Sequence, residues 1–404
     1  MQKKLIALAV AGLSTAAFAQ TNVTIYGVAD VSVQGQNVSK GVASTATSAQ
    51  GSVASVKSNS SGIGFKGTED LGNGLKGLFQ IETNVNLNGN GAGTTSVNNG
   101  TTFGSMRDSY IGVSSKYGTG MAGYLSTPYR STLTSFDVMP GATGDGRIET
   151  IFGRTTVGSS SLQAGTTTNQ SASIRATAMA YALPTMYGFN GSIAYAPNAN
   201  NNNSIGAENQ NTGAPNSALS LALGWEGYGV AVKGAFQQAK YTSAVDNSST
   251  AGGFQSGYPL QNATNYLIGA QYTGLPGLKA GVVYGRNTLG MNSTATTGAA
   301  KGANNSVWAG VSYRFGNNEP RLSYANTSDT SGLAQASTYT GQNGGNQWNL
   351  GWGYYLSKRT QVYGIVSQIK NNANANYNYM APTGVSLSGG EKLFTYGMGM
   401  RTNF

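Results

Sequence analysis

The chain has neither cysteine nor histidine. No disulfide can form, and no thiolate or imidazole is present to hold a zinc ion. The missing histidine also removes the usual general base of Ser-His and Cys-His nucleophilic enzymes. Charge is scarce: 9% of residues are charged, against about 25% in ordinary soluble proteins. A soluble protein so poor in charge would struggle to stay dispersed, whereas a wall facing lipid has no such need. The formal charge of +10 is thin over 404 residues, and no Lys/Arg run of five or more occurs, so nucleic acid is not an expected partner. No segment has the roughly 20 consecutive apolar residues of a membrane-spanning helix. A fixed repeat of the kind a β-solenoid needs is also absent. If this chain crosses a bilayer, it does so with strands.

Present instead are 59 glycines and 23 tyrosines. Gly, Ser and Asn enrichment alone would suit disorder, but disordered chains lack aromatics. Residues 1–19 read as a cleaved secretory signal peptide. Lys3 and Lys4 form its basic start, Leu5 to Leu13 its short apolar middle, and Ala17-Phe18-Ala19 its small-x-small cleavage site. Loss of Lys3 and Lys4 takes the formal charge from +10 to +8. The expected mature domain is 20–404, with its first strand so close to the cleavage site that no passenger or plug domain fits ahead of it.

Alternation then recurs in segments of about ten residues, the length of a tilted strand crossing a bilayer. Leu219, Leu221, Leu223 and Trp225 share one face, with Ser220, Ala222 and Gly224 on the other. Trp348, Leu350, Trp352 and Tyr354 repeat the pattern against Asn349, Gly351 and Gly353, as do Val307, Ala309, Val311, Tyr313 and Phe315 against Ser306, Gly310, Ser312 and Arg314. A sandwich would carry many charges on its polar face; here that face suits a water-filled lumen. The expected strands are 22–35, 57–69, 75–87, 106–115, 119–126, 172–184, 187–198, 217–226, 227–241, 264–273, 277–286, 304–315, 318–327, 346–356, 359–370 and 392–404. Segment 359–370 has two mixed faces and leaves its register open.

The connections alternate short and long. Tight turns such as Asp70 to Gly74, Glu226-Gly227 and Ser357-Lys358 alternate with long polar loops near 36–56, 88–105, 127–171, 199–216, 242–263, 287–303, 328–345 and 371–391. Short turns on one rim and long loops on the other describe an outer-membrane barrel. The sheet must close, because in hydrocarbon every backbone N–H and C=O needs an internal partner. The fold class expected is therefore all-β: a 16-stranded antiparallel transmembrane β-barrel with short periplasmic turns and long extracellular loops. Sixteen strands leave an aqueous channel. Aromatics near the turns (Tyr110, Tyr117, Tyr187, Phe189, Trp225, Tyr228, Phe315 and Tyr354) are expected to form one interfacial girdle.

Val23-Thr24-Ile25-Tyr26-Gly27, Gly64-Phe65-Lys66-Gly67-Thr68-Glu69-Asp70-Leu71-Gly72-Asn73-Gly74, Leu356-Ser357-Lys358-Arg359-Thr360 and the closing Phe404 carry a resemblance over the whole mature chain. It resembles the general diffusion porins of Gram-negative bacteria, of the neisserial and related β-proteobacterial type. The resemblance implies a homotrimer in the bacterial outer membrane, in contact with lipid and lipopolysaccharide. It also implies passive transport of small hydrophilic solutes and ions, and a third long loop folded into the lumen. Loop 127–171, the longest, is that loop. Phe404, in phase with Phe394, Tyr396, Met398 and Met400, resembles the barrel-assembly signal.

In the family, acidic groups on the inserted loop face arginines on the wall. Arg107 matches one wall arginine and Arg175 another less tightly; the expected pore constriction sets them, with Glu82 on a neighbouring strand, against Asp137, Asp145 and Glu149 on the loop. Two positions depart from the pattern: Gly62 stands where the second strand commonly has arginine, and Tyr124 where the fifth commonly has Gly-Arg-Gln. Lys57 is a candidate replacement for part of that charge. Opposed charges across a narrow aperture focus the field, and a net basic chain with retained arginines implies mild anion preference.

Other motifs carry less. Gly118-Thr119-Gly120-Met121-Ala122-Gly123 matches G-x-G-x-x-G, but a strand-like segment follows where a dinucleotide site needs a helix. Nothing in the sequence pairs the scattered carboxylates as a glycosidase requires. No enzyme activity, cofactor or metal is expected. A substrate-specific channel or a surface receptor on the same barrel remains the alternative.

Overall fold

The computed structural model describes residues 22–39, 52–88, 103–139, 145–157, 168–197, 217–240, 260–291, 300–332, 341–379 and 389–404. The signal peptide expected at 1–19 and much of the long loops lie outside them.

One antiparallel sheet of eighteen segments closes on itself. Two of its strands are each broken into two pieces, so it is a sixteen-stranded barrel. The strands are β1 (Asn22–Ser39), β2 (Ser52–Ser58 and Gly62–Gly72), β3 (Leu75–Val85), β4 (Phe103–Met106 and Ser109–Ser115), β5 (Gly118–Ser126), β6 (Arg175–Ala182), β7 (Phe189–Ala196) and β8 (Ser217–Gly227). The second half comprises β9 (Val230–Lys240), β10 (Leu260–Tyr272), β11 (Leu278–Met291), β12 (Ala300–Tyr313), β13 (Asn318–Thr327), β14 (Gly345–Tyr355), β15 (Thr360–Asn371) and β16 (Lys392–Asn403). Each expected strand is present. Several run further into the polar loops than expected: β10 starts at Leu260, β12 at Ala300, and β11 ends at Met291. There the ladder continues through Asn, Thr and Gly, which carry no hydropathy period.

Closure joins β1 to β16, from Val28 opposite Asn403 to Ser39 opposite Lys392. Phe404 extends it: its N–H donates to the Gly27 carbonyl, and the Gly27 N–H to the Phe404 carbonyl, both at 3.0 Å. The ring lies so close to Gly27 that a Cβ there would sit 2.4 Å from Phe404 Cζ.

The barrel is inside out relative to a soluble domain. In β14, Trp348, Leu350, Trp352 and Tyr354 are exposed while Gln347 and Asn349 are buried. Leu223 is 69% and Met398 71% exposed, whereas Gln36 and Ser306 are fully buried. An exposed apolar face fits hydrocarbon as its solvent, and the polar face turns inward. The open register of β15 resolves with Gln361, Tyr363, Ile365, Ser367 and Ile369 inward and Val362 and Val366 outward.

Among the described residues, three tight turns put a residue other than glycine at positive φ followed by glycine: Asn73-Gly74, Tyr187-Gly188 and Tyr228-Gly229. Positive φ at both central positions is the turn that matches strand twist. The arrangement leaves Tyr187 and Tyr228 almost fully exposed at the rim, and Tyr117, Phe189 and Phe315 are exposed near it. Tyr110 departs from the expected girdle. Its hydroxyl points to Gln80 Oε1 at 3.5 Å, on the face opposite the outward Ile111 and Val113, because two-residue periodicity puts it in the lumen.

Candidate functional site: the lumen and its third loop

The third long connection turns into the barrel and begins with helix α1 (Pro128–Phe136), a segment sequence reasoning took for loop. Its signal was legible: Thr127 precedes Pro128, and Tyr129, Leu133 and Phe136 fall on one helical face. The Thr127 Oγ1 accepts the Arg130 N–H at 3.3 Å, and proline suits the first turn because its missing N–H would have no helical partner. Tyr129, Leu133 and Phe136 are buried. Wall glycines make their sockets: a Cβ on Gly269 would lie 2.7 Å from Phe136 Cζ, and one on Gly285 2.7 Å from Phe152 Cζ. Inward Leu267, Val283, Trp308 and Ala325 join the same apolar cluster. The lumen therefore contains a small hydrophobic core.

Seven consecutive strands hold the loop's backbone, each through an inward polar side chain. Ser220 on β8 accepts the Tyr129 N–H at 3.0 Å, and Gln237 on β9 donates to the Ala172 carbonyl at 2.8 Å. Gln271 on β10 donates to the Ser135 carbonyl at 3.4 Å. Lys279 on β11 donates to the Ser135 and Asp137 carbonyls at 3.1 and 2.6 Å, and so caps the helix end with positive charge. Asn304 on β12 donates to the Arg154 carbonyl, Thr327 on β13 to that of Ile151 and Gln347 on β14 to that of Asp145, at 2.9, 2.8 and 2.7 Å. Seven of the sixteen strands thus serve the loop. Buried backbone groups need partners, and here the barrel supplies them.

The expected wall residues lie on the other arc. Arg107, at the break in β4, donates Nε to Glu82 Oε1 on β3 and Nη1 to Asn84 Oδ1 at 3.0 Å. The Tyr26 hydroxyl donates to Glu82 Oε2 at 2.8 Å. Gly62 is part of this geometry: a Cβ there would touch Arg107 Cδ at 3.4 Å. Arg175 donates Nε to Asp108 Oδ1 at 2.8 Å, which also accepts the Ser126 N–H at 3.1 Å. Asp108 and Tyr26 were missed, although Asp108 directly follows Arg107.

The three loop acids go elsewhere. Glu149 is buried and paired with Arg130 at 2.7 Å and Arg147 at 2.6 Å, and it accepts the Ser173 hydroxyl. Asp145 is buried beside Lys57 of β2 at 3.3 Å and accepts from Gln36 of β1 at 3.1 Å. Asp137 accepts the Met139 and Ile148 N–H groups at 2.9 and 3.0 Å, and burial pushes its carboxyl up to about 6. The structure thus brings Arg107 to Glu82 and Arg175 to Asp108, while Asp145 meets Lys57 and Glu149 meets Arg130 and Arg147. The loop arginines, Arg130 and Arg147, carried no signal except that Arg147 stands two residues before Glu149.

A narrowed, charge-lined lumen inside a lipid-facing barrel agrees with what the chain is similar to. The major outer membrane protein P.IB of Neisseria lactamica is 29% identical, covering 90% of this chain and 91% of that protein. The major outer membrane protein P.IA of Neisseria meningitidis serogroup C is 27% identical, covering 96% and 99%. Among solved structures, the anion-selective porin from Comamonas acidovorans superposes with a TM-score of 0.68 at 24% identity, covering 95% of this chain and all of that one. The family model described as Gram-negative porin matches residues 5–374, and the chain belongs to that family.

Proposed function

We infer that this protein is an outer-membrane porin whose water-filled lumen passes small hydrophilic solutes and ions passively, with a mild preference for anions. The observation that carries the reading is the closed sheet with an apolar exposed face and a polar, charged inward face. Among the described residues the sheet leaves no free edge to lipid, and a polar inward face suits a water-filled interior. It is a channel and not an enzyme.

The anion preference rests on the Arg107 and Arg175 arc and on the basic balance of the chain. Arg107 and Glu82 form a dipole across the wall, with the guanidinium also held by Asn84. In a narrow passage between low-dielectric walls such charges act over more of the lumen than they would in bulk water. Glu82, Arg107 and Arg175 form the wall side of the narrowing; Asp137, Asp145 and Glu149 belong to the loop side, with Asp145 and Glu149 acting through how they seat it. The protein is further proposed to leave the inner membrane with residues 1–19 cleaved, to assemble as a homotrimer in contact with lipid and lipopolysaccharide, and to use Phe404 as its assembly signal.

Planar bilayers test this. Purified protein should insert in steps whose conductance grows nearly linearly with KCl concentration, and a KCl gradient should give a reversal potential on the anion side. Arg107→Ala leaves Glu82 negative on the wall and should move that potential toward cations. An unchanged potential removes Arg107 from the selective section. Saturation of flux at low sugar concentration would replace the general porin with a substrate-specific channel.

A further inference from the structure

We propose that the buried Lys57–Asp145 pair is a latch that sets the width of the pore by tying the far end of the third loop to the first two strands. The inference rests on the porin reading and goes beyond it, to the residues that fix the aperture. Asp145 pairs with Lys57 of the barrel wall, whereas Glu149 pairs with Arg130 and Arg147 of the loop itself. The side chains of Lys57 and Asp145 are 4% and 1% exposed, so neither charge lines the open lumen. They are placed to hold the loop, not to select ions.

The corner they occupy is built from four directions. Gln36 of β1 donates to Asp145 Oδ2 at 3.1 Å. Gln347 of β14 donates to the Asp145 backbone carbonyl at 2.7 Å. Ile365 of β15 crowds Gly146, where a Cβ would lie 2.9 Å from Ile365 Cδ1. Above them the last long connection bends inward: Ala375, Tyr377 and Tyr379 are buried, and Tyr379 lies close enough to Asp145 to feel its charge. The helix end of the loop is seated by apolar contact in glycine sockets and by wall hydrogen bonds to its backbone. The Asp145 end is seated by a buried side-chain ion pair and its hydrogen bonds, which are directional. A buried ion pair is sensitive to loss of one partner, since the remaining charge is left without compensation, but tolerates replacement of both by apolar groups.

That asymmetry gives the test. Lys57→Met and Asp145→Leu should each release the loop end. The expected result is a higher single-channel conductance and, in liposome swelling, loss of the discrimination between disaccharides and trisaccharides. The charge-exchanged double variant, Lys57→Asp with Asp145→Lys, keeps an opposite-charge pair at this corner and should return both readouts toward the wild-type values. Folding is checked by the heat-dependent gel mobility of the barrel. Should Lys57→Met not fold, Lys57→Gln, which keeps a donor for Asp145, is read in its place. Folded single variants that conduct and discriminate like wild type overturn the latch. So does a double variant that stays like the singles, or a reversal potential that shifts while conductance and swelling do not, which would put Lys57 in the selective path. Wild-type protein that forms no channel defeats the porin reading itself, and is told apart by that control.

Discussion

The carboxyl of Asp137 bears on how the channel answers to pH. There is no histidine, so the usual group changing charge between pH 5 and 8 is missing. Burial pushes the Asp137 carboxyl up to about 6, opposed by the N–H groups of Ile148 and Met139 and by Arg147; Glu149 adds to the rise. The Lys279 ammonium sits on the Asp137 backbone carbonyl. An acid with a raised value is neutral below it and charged above it. Lowering pH from 7.5 to 5 should therefore remove one negative charge beside the lumen and move the reversal potential further toward anions. Asp137→Asn should show the low-pH potential at both values; a variant that keeps the full pH step would assign it to another group. The resemblance pointed to Arg107, and the fold joins it to Glu82. The roles of Asp145 and Glu149 were not legible: Lys57 stands 88 residues before Asp145, and only the fold tells a pore-facing acid from one already paired.

At the scale of elements, the strands were written plainly and the inserted helix was not. Lipid imposes a strict period of two on the outer face, so Leu219, Leu221 and Leu223 announce β8 without help from tertiary structure. Leu221 lies outward between the buried Ser220 and the inward Ala222. Leu221→Arg should destabilise the folded barrel by about 2–4 kcal/mol, the range for arginine at the bilayer midplane, as measured by denaturant titration in detergent or lipid. Helix α1 obeys a different solvent. It packs on Leu267, Val283 and Trp308, apolar residues on a face where water was expected. Nothing local marks these side chains as sockets until the loop is placed against them. Phe136→Ala empties the socket at Gly269 and should cost the seated loop about 3–5 kcal/mol, the usual range for a buried phenylalanine. The readout is faster hydrogen exchange at the amides of 129–136 with strand amides unaffected; uniform acceleration would mean that the helix and barrel melt together.

The whole molecule depends on joining its two ends, and the lumen shows how that seam is secured. Asp30 of β1 is fully buried. It accepts from Tyr363 of β15 at 2.6 Å, from Asn59 beside β2 at 3.3 Å and from Arg401 of β16 at 3.2 Å. One carboxylate thus binds the strands on both sides of the closure, 371 residues apart in the case of Arg401. Arg401→Met leaves this buried charge to neutral donors, and breaking such a pair costs about 3–5 kcal/mol. The folded barrel should then lose its heat-resistant gel mobility at a lower temperature, and Arg401→Met with Asp30→Asn should recover part of the loss. Lys233 supplies the contrast. Its pair with Glu226 at 2.7 Å leaves the Glu226 side chain 52% exposed, and such pairs contribute about 0–1 kcal/mol. Lys233→Met should leave the melting unchanged. Equal effects at the two sites would show that barrel stability follows total charge and not the seam, because a ring of strands has one joint that no local hairpin can form and Asp30 is the group placed across it.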